Sequence, residues 1–124
     1  MAVLHLLQGV VMVVLAEDVP WPITRTRFEF DVATETLSPV TVPWVDAPLP
    51  LLVAGFLLLS GVAHALIATV LYPRYVAYLE QGMNPYRWYE YAVSASLMIV
   101  VIGMLSGIWD LGTLTALFGL VAVM

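Results

Sequence analysis

LPLLVAGFLLLSGVAHALIATVLY, Leu49 to Tyr72, runs for 24 residues without a formal charge. As a helix such a run is ~36 Å long, more than the ~30 Å hydrocarbon core of a bilayer requires. A second uncharged run, Tyr91 to Trp109, has 19 residues, and Asn84-Pro85 before it puts proline in the first turn of a helix over 85–109. Shorter apolar runs flank these two, Met1 to Ala16 and Leu111 to Met124. The composition agrees, being 62% hydrophobic and only 10% charged, whereas soluble domains carry about a quarter charged residues. The expected fold class is therefore an all-α membrane protein, one membrane domain over residues 1–124. Its expected parts are helices at 1–16, 49–72 and 85–109, and the start of a fourth at 111–124, read as a helix cut part-way because it reaches only ~21 Å. Met1–Ala16 is expected to be a packed helix and not a cleaved leader, since no basic residue precedes the run and His5 and Gln8 lie inside it.

The polar segment 17–48 separates the first two helices. Arg25-Thr26-Arg27-Phe28-Glu29-Phe30-Asp31-Val32 alternates polar and apolar, the pattern of a half-exposed strand. Val40-Thr41-Val42, bracketed by Pro39 and Pro43, is a second β-prone piece. A small antiparallel hairpin is expected there, because loops of this length usually carry structure of their own. The segment holds six acids against two arginines, while the loop 73–84 and the start of the next helix hold Arg74 and Arg87 against Glu80. The positive-inside rule then puts that second loop and the N-terminus in the cytoplasm and the hairpin outside. Tyr72, Tyr75, Tyr78, Tyr86, Trp88 and Tyr89 would form an aromatic belt on the inner side.

Ionisable residues inside spans are costly and mark function more often than chance. Three are present: His5 in the first helix, His64 in the second and Glu90 in the third. Each has a polar neighbour one helical turn away, Gln8 after His5, Ser60 before His64 and Ser94 after Glu90. Three helices so equipped at similar depth could enclose a wet cavity, the plainer alternative being hydrogen-bonded core residues. Gly103 and Gly107 form a GxxxG pair that suggests close helix packing. Asp110 reads as a solvated turn residue, and Met98, Met104 and Met124 as packing.

Other classes find less support. There is no cysteine and, since all four basic residues are arginine, no lysine. The net charge of −5 without a basic run excludes the usual nucleic-acid surface. No nucleophile–base pair, metal cluster or phosphate loop suggests an enzyme. Two rival readings remain: a haem-binding subunit with His5 and His64 as axial ligands, and a non-catalytic structural membrane subunit packing through its glycines.

The polar residues stand in recognisable surroundings. LHLLQGVVMVVLA (Leu4–Ala16), SGVAHALI (Ser60–Ile67) and PYRWYEYAVSASLMIVVI (Pro85–Ile102) resemble, in order, helices one to three of the heliorhodopsins, and GIWDLGTLTALFG (Gly107–Gly119) resembles the join of their helices three and four. The resemblance covers nearly the whole chain. It implies a seven-helix retinal protein of the cell membrane with a cytoplasmic N-terminus, of which this chain would be the first three and a half helices. It further implies light sensing, without efficient ion pumping, and assembly as a homodimer in the lipid bilayer. In the family all-trans retinal is bound as a protonated Schiff base to a lysine of the seventh helix. The residue matching its counterion is Glu90, those lining the polar cavity are His5, His64, Ser60 and Gln8, and the retinal pocket candidates are Ser94 and Met98. The chain departs from the pattern in having no lysine, so it is expected to be a fragment that cannot bind retinal covalently by itself.

Overall fold

The computed structural model describes residues 1–17 and 19–124. Its elements are α1 (Ala2–Val14), β1 (Trp21–Asp31), β2 (Thr36–Ala47), α2 (Leu49–Ala68), α3 (Tyr72–Glu80), α4 (Pro85–Leu105) and α5 (Leu111–Ala122). Four helices pack as a row, α1 on α2, α2 on α4 and α4 on α5. Among the described residues α2 and α4 alone are long and apolar enough to cross a membrane, at 20 and 21 residues with mean hydropathies of 2.3 and 1.5.

The second helix stops at Ala68, four residues short of the expected end, and the expected loop 73–84 contains a helix of its own. Pro73 explains both. It has no N–H to offer the carbonyl of Thr69, so a continuous helix would lose a bond and meet the proline ring there. The chain breaks over Thr69–Leu71 and restarts with Pro73 in the first turn of α3. Gly82 closes α3 at φ +73°, with the Met83 N–H on the Tyr78 carbonyl at 2.9 Å and the Gly82 N–H on Leu79 at 2.9 Å, a Schellman end. Asn84 then caps α4, its Oδ1 accepting from the Arg87 N–H at 3.3 Å.

The hairpin is longer than expected, and β2 runs through both prolines that bracket the expected strand piece. Phe28 faces Pro39 and Thr24 faces Pro43 in the antiparallel register. The N–H of Thr24 points away from β2, donating to the Trp109 carbonyl at 2.8 Å. By the alternation of a strand, Thr24 and Phe28 therefore sit at non-hydrogen-bonded pairs. Pro39 and Pro43 lack only an N–H that would face outward, so the ladder loses nothing.

Between Ile23 and Thr24 the register slips past Trp44, a bulge in β2 opposite the point where β1 meets the α4–α5 turn. There Thr24 bonds Trp109, Trp21 stacks on Trp109 at 5.2 Å between ring centroids, and the buried core gathers: Ala47, Leu49, Val101, Met104 and Leu114. That same turn revises two expectations. Gly107 is no packing residue; it lies past the end of α4 at φ +89° with nothing near its missing Cβ, closing a second Schellman motif through Ile108 N–H to Gly103 O at 2.9 Å. Asp110 is not merely solvated, since its Oδ1 accepts from the Thr113 N–H at 2.8 Å and caps α5.

The close helix contact lies elsewhere. A Cβ on Gly9 would meet Leu58 Cγ at 2.6 Å, and one on Gly61 would meet Leu6 Cγ at 2.8 Å. Gly9 of α1 and Gly61 of α2 thus each receive a leucine of the other helix, the small-residue contact that lets membrane helices approach closely.

Candidate functional site

Below this crossing, at the α3 end, the polar residues of three helices meet. Glu90 is the sixth residue of α4 and turns toward α2. Its Oε1 accepts two hydroxyl protons, from Ser60 of α2 at 2.5 Å and from Ser94 one turn along α4 at 2.9 Å. Hydrogen bonds to a carboxylate are the strong, short kind, and two donors from two helices hold this side chain in one orientation. Both fall on the same oxygen, which leaves Oε2 for a further donor.

Ser60 is also the link to the histidines. Its carbonyl accepts from His64 Nδ1 at 2.7 Å. A carbonyl only accepts, so Nδ1 carries the proton and Nε2 is the free position of the ring. The rings of His64 and His5 lie 5.8 Å apart at an interplanar angle of 57°. His5 Nδ1 is buried and, among the described residues, has no hydrogen-bond partner. The result is one polar line from α1 through α2 to α4: His5, His64, Ser60, Glu90, Ser94.

Of the residues singled out by sequence, these five are brought together. Gln8 is exposed on α1, and Met98 is 41% exposed on α4, two turns beyond Glu90. Sequence reasoning paired Ser60 with His64 on one helix face; it did not see that the serine hydroxyl reaches across to Glu90, which depends on how α2 and α4 cross.

Glu90 stands between two spaces of different character. On one flank a cleft of about 420 Å³ is lined by His64, Tyr72, Tyr75, Arg87 and Tyr91. On the other an apolar groove of about 540 Å³ runs along Leu59, Val62, Leu66 and Val93. From the sequence Arg87 counts only as an inner-side charge at the start of its helix. It folds onto Tyr91, its guanidinium 4.9 Å from the ring centroid and its Nη2 donating to the hydroxyl at 2.8 Å. The i, i+4 spacing of Arg87 and Tyr91 was the available signal. Chemically the site offers a fixed carboxylate with a free oxygen, imidazoles in line behind it, and an apolar surface beside it. Such a site suits a cation carried on an apolar body.

No curated protein matches the chain. The family model described as Heliorhodopsin matches residues 1–124, the whole of a chain whose two long apolar helices, hairpin and half-buried carboxylate are now placed. The chain belongs to the heliorhodopsin family, the retinal-binding, rhodopsin-like photoreceptors of the membrane.

Proposed function

We propose that this chain supplies the counterion and the inner polar cavity of a light-sensing retinal site, with Glu90 as the counterion. The observation that carries the reading is the pair of serine hydroxyls on Glu90 Oε1, which fix the carboxylate and leave its other oxygen free. Bound retinal supplies a protonated Schiff-base cation that absorbs visible light. With no lysine among the 124 residues, that nitrogen comes from a lysine outside them.

Glu90 would then act by charge. An opposite charge within a few Å favours the ionised form of its partner, and the apolar groove beside it keeps the interaction from being screened. Ser60 and Ser94 position the carboxylate, and His64 and His5 extend a polar path for a displaced proton behind it. Ser94 and Met98 would border the retinal, as the family resemblance implies. In this reading the hairpin is extracytoplasmic, α3 and the N-terminus are cytoplasmic, and the protein works as a homodimer in the cell membrane, as a sensor and not as a pump or an enzyme. A haem between His5 and His64 is disfavoured by packing: the Gly9–Leu58 and Gly61–Leu6 contacts close the space a macrocycle would need between α1 and α2.

The test is Glu90→Gln in a protein that joins these helices to the lysine-bearing helix, reconstituted with all-trans retinal. The visible band should move to longer wavelength, and its protonated form should be lost at a pH lower by about 1–3 units than in the parent. An unchanged band and titration would sink the counterion role, and absence of any band in the parent would remove the retinal reading itself.

A further inference from the structure

The two edges of the hairpin differ. In β2 the outward-facing backbone positions include Pro39 and Pro43, which offer no N–H to a further strand and so blunt that edge. In β1 the outward positions follow from Thr24, whose N–H leaves the sheet for Trp109; by alternation they continue at Thr26, Phe28 and Phe30. These three bear ordinary N–H groups, and the strand around them is exposed. An open edge of this length is a template for another strand.

Its side chains say which strand. Arg25, Arg27, Glu29 and Asp31 share one face, with two cations before Phe28 and two anions after it. About Phe28 this order is a charge palindrome: turned end for end, the strand presents Asp31 to Arg25 and Glu29 to Arg27. Phe28 and Phe30 occupy the other face, 67% and 61% exposed.

We propose that the open edge of β1 binds the same edge of a second copy of this chain, antiparallel about a two-fold axis at Phe28, making a four-stranded sheet. The proposal rests on the homodimer reading above and adds its surface and register. Phe28 faces the partner's Phe28 as a hydrogen-bonded pair, and Thr26 faces the partner's Phe30. Each Arg27 lies opposite the partner's Glu29, and each Arg25 opposite the partner's Asp31. Within one chain Arg27 already pairs with Glu29 beside it, an exposed contact of small worth that the dimer would replace with cross-strand pairs. The phenylalanines of both copies form one apolar strip on the other face.

The chain has no cysteine, so Phe28→Cys gives a single reporter. In membranes treated with copper phenanthroline it should form a disulfide dimer, because a hydrogen-bonded antiparallel pair places Cα atoms ~5.5 Å apart, within disulfide reach. Thr41→Cys, outward on the proline-blunted strand, should not. Arg27→Glu should lower the dimer fraction on native gels several-fold, and Arg27→Glu with Glu29→Arg should restore it. A dimer that ignores Arg27→Glu, in a chain whose Phe28→Cys variant forms no disulfide, overturns this interface and leaves the homodimer reading standing. A monomeric wild-type chain overturns both.

Discussion

Asp110 shows how much a single side chain can hold at the meeting of two helices. Its Oδ1 accepts from the backbone N–H of Thr113 at 2.8 Å and from the Thr113 hydroxyl at 2.9 Å. The first of these, then the second, keeps its carboxyl below the ordinary value of 3.8. A carboxylate whose folded pKa is lowered adds stability that is fully present above the unfolded value and is lost as the pH falls through the folded one. Asp110→Ala should therefore lower the Tm by a few degrees at neutral pH, and Asp110→Asn, still an N-cap, by less. The gap between wild type and the alanine variant should close only below pH 3.8. Thermal melts followed by circular dichroism would check this; a gap independent of pH would mean that the carboxylate charge is not what matters.

Among the helices, α1 and α2 form the most extensive contact, and it depends on two glycines having no Cβ. At Gly61 a methyl group would meet the Leu6 backbone nitrogen at 3.0 Å as well as its side chain, and at Gly9 it would meet the Leu58 nitrogen at 3.2 Å. Backbone cannot swing aside, so the helices must separate, and overpacking of this kind costs ~1–3 kcal/mol. Gly103 differs, because its nearest neighbour is the tip of Leu117 at 3.3 Å, which can rotate. Alanine at Gly9 or Gly61 should destabilise the fold by this amount in denaturation measurements, whereas Gly103→Ala should be near neutral, helped by better helix propensity. Equal losses at all three would refute the distinction. The sequence could not have made it: GxxxG at Gly103 and Gly107 was the visible pattern, while Gly9 and Gly61 lie on different helices and meet only in space. The long spans, the Asn84-Pro85 start and the existence of a hairpin were legible because hydropathy and alternation are local. The break before Pro73, the strand through Pro39 and Pro43, and the Ser60–Glu90 contact were not, because each depends on which way a backbone or side chain faces a neighbouring element.

Across the whole molecule the polar and apolar work is divided between two ends. The hairpin end carries the buried core, Val101, Met104 and Leu114 under the Trp21–Trp109 stack, and ties β1 to the α4–α5 turn. The α3 end carries the line from His5 to Ser94. Glu90 and Trp109 lie 19 residues apart, so ~28 Å of chain at helical rise separates the charge from the tether. Electrostatic influence on a chromophore falls steeply over that distance, whereas packing losses are felt by the whole cooperative unit. The two ends should therefore fail in different assays. Trp21→Ala, which removes the stacked partner of Trp109, should cost ~2–4 kcal/mol of stability and leave the absorption band of the retinal-loaded protein where it was. Ser60→Ala and Ser94→Ala together should shift that band, because Glu90 loses both donors that orient it, while the Tm moves far less than in Trp21→Ala. Parallel melts and spectra of the two variants decide the matter. A spectral shift in Trp21→Ala equal to that of the serine pair would mean that the hairpin end reaches the charge through α4, and the division of labour would have to be abandoned.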